Sequence, residues 1–170
     1  PICAGSSTTF TQSGGSLGTG ASYQWYIGGC LAGPVGSGSP FSYSPTSSTH
    51  YVAAVGTCNT TACASTSVTI NTIPTAPVAT AATSILCTSF RANWNASAGA
   101  TTYFLDVGND CLGGWTVISN LNVGNVTFYD LSGLTSTCDY YYRVRAFNSC
   151  GTSGNSNQIW VTPLCCANPA

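Results

Sequence analysis

The stretch LTSTCDYYYRVRAFNSCGTSGNSNQIWV (134–161) decides how this chain is read. Within it Tyr142 and Val144 alternate with Arg143 and Arg145. Alternation over a short run of this kind marks a half-buried β-strand. Tyr142 and Val144 are expected to face inward and both arginines outward, with a cross-strand partner such as Asp106 on the neighbouring strand. A Gly, Ser and Asn cluster then interrupts the run before QIWVT (158–162), the turn chemistry that separates antiparallel strands.

Working outward, the same short alternating segments recur. In the first half they are STTFTQ (7–12), SYQWYI (22–27), HYVAAV (50–55) and ASTSVTIN (64–71). In the second they are SFRANWN (89–95), TYFLDV (102–107), WTVIS (115–119), VTFYDL (126–131), YYYRVRAF (140–147) and QIWVT. No helical period occurs. Between the halves, TIPTAPVA (72–79) carries two prolines suited to a linker and an opening edge strand. The expected fold is all-β: two consecutive antiparallel β-sandwiches stapled by disulfides, over residues 1–73 and 74–164, with a C-terminal tail at 165–170.

The residues also carry a resemblance. Trp94, the pair Leu134 and Tyr140 before a strand, and the inward Tyr142 and Val144 make the second half similar to a fibronectin type III domain. PICAGSS (1–7), YQWYIGGC (23–30) and SPTSSTHYVAAVGTCNTTACAS (44–65) make the first half resemble an immunoglobulin-like repeat of bacterial surface proteins, with Trp25 on strand C and Tyr51 on strand F. This order resembles secreted surface proteins of Bacteroidota-type bacteria. Both families serve as spacers, adhesion modules and enzyme accessories, so the resemblance specifies fold and leaves function to the surface.

Composition narrows that function. Charged residues make up 4% of the chain, against about 25% in an ordinary domain. Arg91, Arg143 and Arg145 face Asp106, Asp110, Asp130 and Asp139, with no Lys or Glu. So few cations argue against a nucleic-acid partner. No apolar run approaches the ~18 residues of a membrane span, so no membrane insertion is expected. Hydrophobic residues at 44% and aromatics at 11% indicate packed cores rather than disorder.

Chemistry is sparse. Without Glu, and with His50 as the only imidazole, no acid–base pair or activated nucleophile is evident, and no enzyme, cofactor or metal is expected. His50 reads as a surface residue at a strand edge. DVGND (106–110) offers two carboxylates and Asn109, which fits a solvated turn better than a Ca²⁺ loop. Trp115 and Tyr141 are candidates for a sugar-stacking platform, although strand-face aromatics are usually packing. The sequons at Asn59, Asn95 and Asn125 are no more than this Asn-, Ser- and Thr-rich composition gives by chance.

Ten cysteines without a C-x-x-C pair indicate disulfides and an extracellular or cell-surface location. On the assumed sandwich topology, Cys3 is expected to pair with Cys30, and Cys58 with Cys63. In the second half Cys111 would pair with Cys138, and Cys87 with Cys165 or Cys166. Cys150 and the other tail cysteine are then left over, for bonds between chains or as free thiols.

One difference between the halves bears on partners. APVATAAT (76–83) precedes SILC (84–87), whereas only Pro1 and Ile2 precede Cys3, so the first sandwich is expected to lack its opening strand. An extended segment from another copy can supply such a strand. The tail would be the donor, with Pro1, Ile2, Cys150, Leu164, Cys165, Cys166, Ala167 and Asn168 at the joint. The expected function is a non-catalytic structural subunit of a surface filament, partnered head to tail by copies of itself. Alternatives are a stalk or adhesin segment of a longer tandem protein, or a glycan-binding accessory module.

Overall fold

In the computed structural model, residues 1–46 and 48–165 are described. The chain divides into two compact units, Pro1–Thr72 and Ile73–Ala170. The first holds β1 (Ile2–Cys3), β2 (Thr8–Phe10), β3 (Ser22–Ile27), β4 (Pro34–Ser37), β5 (Phe41–Tyr43), β6 (Thr49–Val55), β7 (Ala64–Ser67) and β8 (Ile70–Asn71). The second holds β9 (Ala79–Thr83), β10 (Ser89–Trp94), β11 (Thr102–Asn109), β12 (Ile118–Gly124), β13 (Phe128–Ser132), β14 (Tyr140–Asn148), β15 (Gly151–Thr152) and β16 (Ile159–Val161).

In the first unit a sheet in the order β4-β3-β6-β7 faces the pair β2-β5. Alternation sends Trp25 and Val52 inward to meet Phe10, and Tyr23, Phe41, Tyr43 and Val68 close around them. The Trp25 indole N–H donates to Gly38 O at 2.8 Å. Gly36 is required opposite Phe41, because a Cβ there would lie 2.0 Å from that ring.

The expected absence of an opening strand needs correction in part. Ile2–Cys3 forms a short parallel pair with Ile70–Asn71. The Ile2 N–H bonds to Thr69 O and the Ala4 N–H to Asn71 O. Two residues suffice because both bonds are backbone and need no side-chain signal in the sequence.

In the second unit β13-β10-β9 packs against a sheet of β12, β11, β14, β15 and β16. Its core is much larger and includes Phe90, Trp94, Tyr103, Leu105, Tyr142 and Val144. The buried phenols find partners, as burying a hydroxyl without one costs roughly 1–3 kcal/mol. Tyr103 Oη accepts from the Ser97 N–H at 2.8 Å. Tyr142 Oη donates to Thr80 O and accepts from the Asn93 N–H, and burial pushes its phenol pKa up. Tyr140 Oη accepts from the Thr135 N–H at 2.7 Å and donates to Thr135 O, which fixes the corner before β14.

The run expected as a strand at 115–119 begins late, at Ile118. Gly113 and Gly114, at φ 68° and 64°, turn the chain first, and the Trp115 ring packs against Tyr141.

Candidate functional surfaces

The outward face of β11 and β14 holds a charge network and an aromatic cluster. Asp106 stands directly opposite Arg143 in the register, with Phe104 opposite Arg145. The Arg143 Nε donates to Asp106 at 3.0 Å, and an Arg145 terminal nitrogen does so at 3.2 Å. Asn120 adds its backbone N–H to the same carboxylate at 2.7 Å. Asp106 is 3% exposed, so it belongs to a buried ion pair rather than the solvated turn expected from DVGND.

Along β14 the face turns aromatic. The Arg143 guanidinium lies 4.0 Å above the Trp115 ring, and Trp115 meets Tyr141 edge-on at 4.8 Å. Trp160 packs on the other side of Tyr141 at 4.7 Å. Tyr141 lies over Gly108, where a Cβ would come within 2.4 Å of its ring. The expected platform therefore changes membership: Tyr141 is 8% exposed and Trp115 half-buried, while Trp160 is 61% exposed. Sequence reasoning passed over Trp160 because a Trp in a strand reads as core. Its place between Ile159 and Val161, with Val161 buried, was the available signal.

His50 corrects a second expectation. It is 2% exposed, because it is in phase with Val52 on β6, a strand flanked by β3 and β7. Its ring lies 4.6 Å from Phe10 and 6.3 Å from Tyr43, and neither ring nitrogen has a hydrogen-bond partner. Burial lowers its pKa, with a smaller opposing pull from the Ser48 backbone. It is not placed to act as a solvent-facing base.

Asp110, Cys111 and Cys138 bring potential ligand atoms within 4.8 Å of one another. Cys111 and Cys138 are joined in a disulfide, which removes both thiolates. Asp110 accepts from the Asp139 N–H at 2.9 Å, so it serves the turn. This set does not fit a metal.

The first unit pairs Cys30 with Cys63, which overturns both expected pairs, Cys3 with Cys30 and Cys58 with Cys63. The expectation placed each cysteine at the end of its own strand. Positive φ at Gly28 and Leu31 turns the chain after β3 instead, and Cys30 reaches the residue preceding β7. Cys58 is left as an exposed thiol. Cys3 is disulfide-bonded, and so is Cys150, which was expected to be left over. The Cys87 sulfur lies 3.6 Å from Leu164 O. Cys165 carries an exposed thiol 3.8 Å from Ser136 O. Of the residues expected at a joint, Pro1, Leu164 and Cys165 are exposed and Ile2 is half-buried in β1. Cys166, Ala167 and Asn168 lie outside the described residues.

No family model matches the chain. A stretch of 51 residues is 47% identical to the Kelch domain-containing protein SSO1033 of Saccharolobus solfataricus, covering 30% of this chain and 7% of that protein. Among solved structures, a multidomain segment of titin aligns over 94% of this chain and 60% of its own, with a TM-score of 0.60 and 17% identity. The chicken CNTN1 FN1–FN3 domains align over 95% of this chain and 65% of theirs, with a TM-score of 0.48 and 18% identity. The titin alignment shows the fold: an all-β chain of immunoglobulin-like and fibronectin type III-like sandwiches. Such domains are consistent with a structural or adhesion module, and the disulfides with an extracellular setting. No helix among the described residues is long and apolar enough to cross a membrane.

Proposed function

We propose that this chain is a non-catalytic structural protein of the cell surface, the subunit of a filament whose copies join head to tail. The observation that carries this reading is the pair of exposed thiols, Cys58 in the first unit and Cys165 at the end of the second. Exposed thiols on a disulfide-bonded chain are ready to couple chain to chain in an oxidising compartment. Low charge supports the reading, since copies with few charges repel one another little. The resemblance to Bacteroidota-type surface repeats supports a bacterial cell surface as the setting.

Native-source material boiled in detergent is expected to run without reductant as a ladder at multiples of the subunit mass, collapsing to one band on reduction. Cys58→Ser or Cys165→Ser should remove the ladder. A single band in both lanes would rule out covalent coupling through these thiols.

A second reading, a glycan-binding module, rests on the exposed Trp160 indole, which packs on Tyr141. Trp160→Ala is expected to abolish retention on a polysaccharide column while leaving the thermal midpoint nearly unchanged, since this ring is mostly in solvent. Retention that survives the substitution would eliminate the platform.

A further inference from the structure

We propose that the outward face of β11, β14 and β16 binds an acidic polysaccharide, with one sugar ring stacked on Trp160 and its carboxylate held by Arg143. The proposal rests on the glycan-binding reading above and adds to it the charge of the ligand and the side chain that selects it. It is independent of the head-to-tail reading.

Register lays this face out in rows. Tyr141 of β14 stands opposite Gly108 of β11 and Trp160 of β16. Two residues on, Arg143 stands opposite Asp106. Side chains two apart on a strand share a face, so Tyr141 and Arg143 point the same way. Trp160 shares that face through its pairing with Tyr141, which makes it the diagonal neighbour of Arg143. Diagonal neighbours lie about 7–8 Å apart, within reach of long side chains. That separation is about the span of one pyranose ring with the carboxylate it carries.

Asp106 does not use up the guanidiniums beside it. Its buried carboxylate accepts from Arg143 Nε, from an Arg145 terminal nitrogen and from the Asn120 N–H. Arg143 gives only its Nε to that contact. Among the described residues neither of its terminal nitrogens donates to another group, and the side chain is 27% exposed. The bond to Asp106 and the Trp115 ring at 4.0 Å hold the guanidinium in place. A planar fork fixed in this way matches a carboxylate through two parallel hydrogen bonds. Two arginines against one carboxylate also leave this row with a positive charge in excess.

The remaining charges give the site a polarity. Asp139 comes two residues before Tyr141, and Asp110 joins it at the turn by accepting from its N–H. Four residues of strand separate Asp139 from Arg143, about 13 Å. Screening at physiological salt acts over ~8 Å, so these carboxylates do not cancel the excess at Arg143. They do repel an anionic group placed beyond Tyr141, which favours the Arg143 side. The third arginine, Arg91, pairs with Asp130 on the other sheet. Three cations in the whole chain give little general attraction for polyanions, so a preference for a charged sugar arises on this face.

Trp160 supplies the apolar half of the site. Its exposed indole rests on Tyr141. Tyr141 is itself braced, with its hydroxyl donating to Gly114 O at 2.7 Å and its ring edge-on to Trp115. The C–H face of a pyranose is apolar, and covering it with the indole removes both surfaces from water. A platform already braced in the free protein loses little freedom on binding.

The test uses the full chain and titration calorimetry with oligogalacturonate and its methyl ester, which has the same rings and no charge. The acid is expected to bind about tenfold more tightly than the ester at low salt. High salt should shrink that difference. Neither comparison needs a variant. Arg143→Lys keeps a cation beside Asp106 but removes the fork, and should weaken the acid about fivefold while leaving the ester unchanged. Trp160→Ala should weaken both about tenfold. Equal affinity for acid and ester, or binding of a neutral glycan such as xylan alone, overturns the proposal and leaves the stacking platform standing. Binding of no glycan overturns both. Acid binding that survives Trp160→Ala, ignores Arg143→Lys or is matched by polyglutamate would be a bare charge effect, and also overturns the proposal.

Discussion

Acidifying the protein from pH 7 to pH 5 is expected to loosen the first unit while the second stays folded. The cause is His50, whose ring is buried between Phe10 and Tyr43 with neither nitrogen bonded. No Asp, Glu, Lys or Arg occurs anywhere in Pro1–Thr72, so no charged side chain of this unit faces the imidazole. Desolvation lowers its pKa in the folded state, while the unfolded value stays near 6.5. Above about pH 6.5 both states are neutral and the term is constant. Below it the unfolded chain takes up a proton that the folded one resists. Stability therefore falls with pH until the lowered folded pKa is passed, by about 1.4 kcal/mol for each unit of depression. The second unit supplies the control. It contains no histidine. Unit-resolved hydrogen exchange, corrected for the intrinsic pH dependence, is the measurement. His50→Leu should flatten the response of the first unit. A first unit equally protected at both pH values would show that the imidazole is not desolvated.

The second large effect concerns the Cys30–Cys63 bond. Replacing both cysteines by serine is expected to lower the stability of the first unit by about 4 kcal/mol on the chain-entropy relation for a loop of this length. Three buried residues, Phe10, Trp25 and Val52, form the centre of its core. Such a unit has little reserve, and the loss should unfold it near body temperature. Cys58→Ser is expected to change the midpoint by less than about 0.5 kcal/mol, since an exposed thiol makes no comparable contribution. Thermal unfolding of the two variants separates the observed pairing from the alternative of Cys58 with Cys63. A loss on Cys58→Ser comparable to that of the double variant would overturn the observed connectivity.

Much of the fold is legible in the chain because period-two alternation is a local property. SYQWYI and YYYRVRAF state which face is buried, and a one-residue slip would expose Trp25 or Tyr142. The strands that escape notice are β1, β4, β5 and β15, each too short to show a period. The candidate surfaces are less legible. His50 reads as an edge residue because its burial depends on β7 covering β6 and on Phe10 arriving from the facing sheet. The exposure of Trp160 depends on where β16 lies beside β14.

The sequence by itself determined an all-β chain, stapled by disulfides, with almost no charge. Those properties follow from residue type and from the two-residue period of a strand, which need no knowledge of neighbours. Only the tertiary structure decided which cysteines meet and that the one imidazole is sealed among rings. Each of these depends on segments far apart in the chain. Their proximity is set by how sheets pack and how turns aim the backbone, and alternation within a single strand carries no record of either.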